Sequence, residues 1–171
     1  RISALDWLQS QALARTARGT GEGIPFSQRR HAWRSAIGNH PGDVDLNRDY
    51  LSALMTHDRS KKYWADARQT AYWLLQLSQT NVTDVALTAR VFDLYELDEY
   101  LVAIVESAGA TESQDVVVPY LKALFRTERY DAFESRLADA PLEMDSDPTL
   151  DLYWTAFQAM GADPALASAS R

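Results

Sequence analysis

Helix-breaking residues recur at near-regular intervals along this chain, and between them almost every stretch carries apolar residues at helical spacing. Gly38-Asn39-His40-Pro41-Gly42 is the strongest stop, and Asn81-Val82-Thr83-Asp84 and Gly109 follow it. Asp147-Pro148 and Asp163-Pro164 each set a capping aspartate before a proline suited to the first helical turn. No segment alternates convincingly enough to read as a strand. The punctuation predicts an all-α fold of short helices, joined by tight turns.

The apolar stripes place these helices. Ile2, Leu5, Leu8 and Ala12 mark a first helix over 2–17, broken by Gly19, Gly21, Gly23 and Pro25. A second spans 27–37 with Trp33 and Ile37, and a third, capped by Asp43, carries Leu46, Tyr50 and Leu54. The fourth is expected to be capped by Ser60 and to bury Trp64, Ala67, Ala71 and Leu74 on one face. Val85, Ala89 and Phe92 make the fifth stripe; Leu97, Leu101, Ile104, Val105 and Ala108 make the sixth, ended by Gly109. Thr111 to Gln114 has capping-box spacing ahead of Val117, Tyr120, Leu121, Leu124 and Phe125. Pro119 either kinks that helix or makes it begin at Val118. Tyr130, Phe133 and Leu137 define an eighth helix that stops at Pro141. A ninth carries Leu150, Tyr153, Trp154, Phe157 and Met160 up to Gly161, and a tenth opens at Asp163-Pro164.

Pairing neighbours gives about five helical hairpins, approximately 2–38, 43–79, 83–109, 112–140 and 147–171. Tyr63, Tyr100, Tyr130 and Pro164 lie at or near the start of the second helix of a pair, at spacings of 37, 30 and 34 residues. Leu-Phe-Arg-Thr-Glu-Arg-Tyr-Asp-Ala at 124–132 resembles the within-repeat turn of tetratricopeptide repeats, whose period is about 34 residues. Asn39-His40-Pro41-Gly42-Asp43 resembles that family's between-repeat turn, and the resemblance spans residues 26–164. Ala67, Ala71 and Ala89 fit the family's preference for small residues, whereas 111–141 departs from it. The resemblance implies one repeat domain over 1–171, a right-handed superhelical solenoid in which each hairpin buries its stripe against its neighbours; the alternative is a non-repetitive helical bundle with similar hairpins.

Composition narrows the function. The chain has no cysteine, which excludes disulfides, a thiol nucleophile and Cys-based zinc sites. No apolar run approaches the roughly 20 residues that span a bilayer, so no membrane contact by this segment is expected. Starting at Arg1 and ending in Ala165–Arg171 without a closing apolar helix, the chain reads as a piece of a longer one. Residues 1–79 carry 11 Lys+Arg against 7 Asp+Glu, and residues 80–171 carry 6 against 17. A basic first half within an acidic chain argues against nucleic acid, because Arg29, Arg30, Arg34 and the Arg59, Lys61, Lys62 cluster are interrupted by acids. The gradient suits steering of a charged partner or two solvated faces.

No catalytic or metal-binding constellation emerges, and no cofactor is expected. His31 and His57-Asp58 resemble in kind the ligands of metal-dependent HD phosphohydrolases, but His-Asp-Arg-Ser-Lys-Lys reads as an inter-helix turn. The Gly-x-Gly-x-Gly stretch at 19–23 follows a helix and lacks a phosphate-loop lysine. Carboxylates such as Asp98, Glu99 and the Glu143, Asp145, Asp147 run lie at helix starts, where capping explains them without glycosidase chemistry. Asn81-Val82-Thr83 matches a glycosylation acceptor of low specificity.

The first helix of each pair lines the concave groove in tetratricopeptide superhelices. On this register Arg48, Asp49, Ser52, Arg90, Asp93 and Lys122 are the candidate readers of a partner, although an Arg and Asp three apart could pair with each other. Tyr72, Trp73 and Tyr95 are candidate exposed aromatics that could stack on a peptide or sugar. Trp64, Tyr153, Trp154 and Phe157 are expected in the core. Degenerate arrays rich in Trp and Tyr and free of cysteine resemble the periplasmic scaffolds of bacterial exopolysaccharide exporters of the outer membrane, including the Pel type. That resemblance implies a non-catalytic protein-binding scaffold in the periplasm, recruiting a polysaccharide-modifying enzyme or guiding a cationic glycan. The alternatives are a cytoplasmic tetratricopeptide adaptor and a fragment of a helical (α/α) enzyme.

Overall fold

The computed structural model describes residues 4–18, 24–109, 113–139 and 147–162. Among the described residues the fold is all-α, with nine helices and no strand. They are α1 (Ala4–Arg18), α2 (Phe26–Asn39), α3 (Val44–His57), α4 (Trp64–Leu77), α5 (Val82–Tyr95), α6 (Asp98–Ala108), α7 (Gln114–Arg126), α8 (Tyr130–Asp139) and α9 (Pro148–Ala162). The chain divides into two compact units, Arg1–Asp84 and Val85–Arg171, with α5 beginning in the first and running on into the second.

In the first unit α1 packs on α2, α2 on α3 and α3 on α4. Leu46, Tyr50, Leu51 and Leu54 of α3 and Ala67, Ala71 and Leu74 of α4 are essentially inaccessible to solvent. Each fully buried leucine contributes roughly 2 kcal/mol, while the alanines allow close helix approach. Two expectations fail here. Trp64 is 48 % exposed because it occupies the first helical position, before the buried face is established, and Arg68 lies over its ring. Leu8 and Ala12 of α1 are exposed, and that helix buries Ala14 and Ala17 instead.

In the second unit α7 packs against α6, α8 and α9. Val116, Val117, Leu121 and Leu124 fill its inner face, and Phe133 of α8 and Leu150 of α9 are buried. Phe125 stacks on Tyr153 of α9 at 4.4 Å with planes 9° apart and meets Phe133 edge-on. Tyr153, Trp154 and Phe157 are half-buried, Trp154 and Phe157 stacking at 5.8 Å.

The helix ends obey local chemistry. Asp43 accepts from the Leu46 N–H (3.0 Å), and Asp147 accepts from Thr149 and Leu150 (2.9 and 3.1 Å), the expected caps of α3 and α9. Ser60 does not cap α4. The buried Asp58 carboxylate accepts from Ser60 Oγ and from the Tyr63 N–H, so His57-Asp58 is committed to a turn. Gly109 ends α6 at φ 63°, the left-handed region where glycine carries no Cβ penalty. Helix α7 starts at Gln114 and runs through Pro119, so it does not begin at Val118, and Ser113 precedes it without a side-chain cap. Pro119 lies inside the helix and has no N–H, so the intrahelical bond to the Asp115 carbonyl is forfeited. Helix α9 continues through Gly161 to Ala162. The breaks expected at Gly19 to Gly23, Thr111, Pro141 and Asp163-Pro164 lie outside the described residues.

Candidate functional site

Charged side chains on the first helices of the expected hairpins reach from one such helix to the next. In the first unit Arg18 of α1 donates from Nε to Asp49 of α3 (2.7 Å), 31 residues away. Arg48 of α3 forks onto Asp84 of α5, Nε at 2.8 Å and Nη2 at 3.1 Å, across 36 residues, and turns Nη1 to Asp45. Asp84 is fully buried, and its hydrogen bond to Arg48, offset in part by desolvation, raises the guanidinium pKa. In the second unit Asp93 of α5 receives Arg126 of α7 (2.7 Å) and Lys122 (3.5 Å), which also binds Asp147 at the start of α9 (2.7 Å).

A parallel link joins the second helices. Arg30 of α2 donates to Asp66 Oδ2 of α4 at 2.7 Å, 36 residues on, and the buried Tyr50 hydroxyl donates to the same oxygen. The hydrogen bond that Arg30 donates to Asp66 raises the Arg30 pKa, and burial followed by the bond to Asp66 drives the Tyr50 hydroxyl well above its ordinary value. Arg126 also binds Asp98 at the start of α6, and Arg129 binds Glu99, 28 and 30 residues apart.

The candidate readers therefore divide. Arg48, Asp49, Asp93 and Lys122 are held in the ion pairs just described, and Ser52 Oγ donates to the Arg48 carbonyl at 2.9 Å. Asp93 pairs with α7, not with Arg90 three residues before it. Arg90 is exposed and lines a recess of about 290 Å³ with Asp93, Gln114, Asp115, Lys122 and Asp147. Here three carboxylates and two cations face a common space, a setting for a charged or zwitterionic group. Burial lowers the Lys122 pKa, but hydrogen bonding to Asp147 and the charge of Asp93 outweigh it, so the ammonium persists.

Tyr72 and Trp73 are 59 % and 47 % exposed, with rings edge-to-face at 5.7 Å. Tyr95 is only 6 % exposed, a correction to its candidacy as a surface aromatic: it lies in the last turn of α5 on the side that packs inward. Sequence reasoning missed Asn47, Asp66 and Arg126. The available signals were a polar residue beside the Leu46 stripe and a second cation one turn after Lys122. No family model matches the chain, and no curated protein and no solved structure matches it.

Proposed function

We propose that this chain is a non-catalytic scaffold of tetratricopeptide-like hairpins that stack as a solenoid and bind a protein partner. The observation that supports this reading is the set of cation–carboxylate links between alternate helices. Five of them, Arg18–Asp49, Arg30–Asp66, Arg48–Asp84, Lys122–Asp93 and Arg126–Asp93, span between 29 and 36 residues. Helical repeats of about 34 residues place equivalent helices of neighbouring hairpins side by side, and such separations follow from that register.

The recess around Arg90 is the proposed partner site, since its walls come from two first helices and the start of a third. The acidic balance of the second unit suits a basic partner, and the proposed setting is a bacterial periplasm, where a scaffold recruits enzymes that modify an exported polysaccharide.

Photo-crosslinking in an exopolysaccharide-secreting bacterium tests the reading. A crosslinking side chain at Arg90 should trap one discrete protein adduct, absent when the group is placed at the exposed Gln79. Equal capture at both positions, or none at Arg90, would count against the scaffold.

A further inference from the structure

A second recess, of about 270 Å³, opens among α2, α3 and α4 within the first unit, and Arg34, Asn47, Tyr50, Asp66, Thr70 and Trp73 contribute to its lining. Asn47 is 1 % exposed. Its Nδ2 donates to the carbonyls of Asp43 (2.8 Å) and Pro41 (3.3 Å), which fixes the orientation of the carboxamide. Its Oδ1 has no hydrogen-bond partner among the described residues, and a buried acceptor without a donor is a costly arrangement. That oxygen exposes less than 1 Å², so a donor reaches it only with side-chain movement at the recess wall.

Asp66 supplies a second acceptor. Both of its hydrogen bonds fall on Oδ2, from Arg30 and Tyr50, and Oδ1 has none among the described residues. Because Arg30 neutralises this carboxylate, the hollow does not select strongly for a cation. Trp73, nearly half exposed, adds an aromatic face braced edge-on by Tyr72. Arg34 contributes N–H donors at the opening.

An aromatic face beside several acceptors and a donor matches one ligand chemistry closely. A pyranose presents an apolar C–H face to an indole and a rim of hydroxyls that donate and accept, whereas a peptide side chain rarely supplies both. We propose that this recess binds one neutral pyranose unit, free or within a glycan, with Trp73 against the ring and Asp66 Oδ1 and Asn47 Oδ1 accepting from its hydroxyls. The site does not rest on the scaffold reading; crosslinking at Arg90 can fail without touching it.

The test is an NMR titration of the full chain with cellotriose, maltotriose and triacetylchitotriose, each taken to about 20 mM, against the tripeptide Gly-Leu-Gly. At least one sugar should shift the Trp73 indole and Asn47 carboxamide signals saturably, with a Kd on the order of 1 mM. Trp73→Ala should weaken that binding about tenfold, while Trp64→Ala, at an exposed tryptophan outside the recess, leaves it unchanged. Trp73→Ala removes an exposed ring, so an unaltered far-UV spectrum separates lost binding from lost fold. The proposal is overturned by no saturable shift with any sugar, by stronger shifts with the tripeptide, by binding that survives Trp73→Ala, or by an Asn47 that contacts only an ordered water throughout.

Discussion

At the residue scale, Tyr50 combines structural and electrostatic roles. Its ring is in the core, stacked on Trp33 at 6.2 Å, while its hydroxyl donates to Asp66 Oδ2. Burial first, and the Asp66 carboxylate second, favour the protonated hydroxyl, so its pKa rises from the ordinary 10.0. A raised folded-state pKa means the stability from this group is complete below the unfolded value and declines as pH climbs past it. Tyr50→Phe should therefore cost about 1 kcal/mol near neutral pH and remove part of the alkaline loss of stability. Urea unfolding at about pH 7 and about pH 10.5 reads both effects; an equal alkaline decline in the two proteins would contradict the assignment. The apolar half of this residue was legible from its place in the Leu46, Tyr50, Leu54 stripe. Its polar half was not, since the partner Asp66 lies 16 residues away and meets it only once α3 and α4 have packed.

At the scale of the element, two helices end in the same backbone geometry. After α5, Leu97 N–H bonds the Phe92 carbonyl around Glu96 at φ 55°; after α7, Arg129 N–H bonds the Leu124 carbonyl around Glu128 at φ 59°. These are two copies of one six-to-one helix ending, with a left-handed residue at its centre. Sequence patterns identify such endings through glycine or asparagine, and glutamate at this position conceals them. The helices themselves were legible because each has an apolar stripe and a cap or breaker. Trp64 was not, because a terminal position escapes the periodicity. Placing an L-residue in the left-handed region is unfavourable, so Glu128→Gly should raise stability by up to about 1 kcal/mol despite glycine's greater unfolded-state entropy. A lower thermal midpoint for that variant would show that Glu128 makes compensating contacts.

Asp147 extends the element-scale account to pH. Burial works against its ionised form, but the Lys122 ammonium and the Leu150 and Thr149 N–H groups prevail and lower its pKa from the usual 3.8. A lowered folded-state pKa contributes stability above the unfolded value, lost as pH falls through the folded one. Asp147→Asn keeps an N-cap and gives up the charge pairing with Lys122. It should cost about 1 kcal/mol near pH 7, and the difference should vanish at about pH 2. Paired denaturation curves at those conditions check the sign: a difference that persists at low pH would assign the loss to capping geometry rather than charge.

At the scale of the whole molecule, charge distinguishes the two units. Residues 1–84 hold 11 Lys+Arg against 8 Asp+Glu, and residues 85–171 hold 6 against 16. This imbalance was legible in the sequence, but its chemical meaning depends on pairing. Lys122, Arg126 and Arg129, three of the six cations of the second unit, are occupied by acids of their own unit, which leaves its excess carboxylates to set the external field. A linear glucosamine hexamer, cationic at neutral pH, is a direct probe of that field. Its salt-sensitive NMR shifts should be concentrated in residues 85–171, and the affinity should fall at least about tenfold between roughly 0.05 and 0.5 M NaCl as screening shortens the reach of exposed charges. The fully N-acetylated hexamer has the same backbone without the ammonium groups and should leave these shifts absent. Equal binding of the two hexamers at the second unit, or an affinity indifferent to salt, would mean that recognition there depends on shape and hydrogen bonding, with the acidic excess serving only to keep the helix faces solvated.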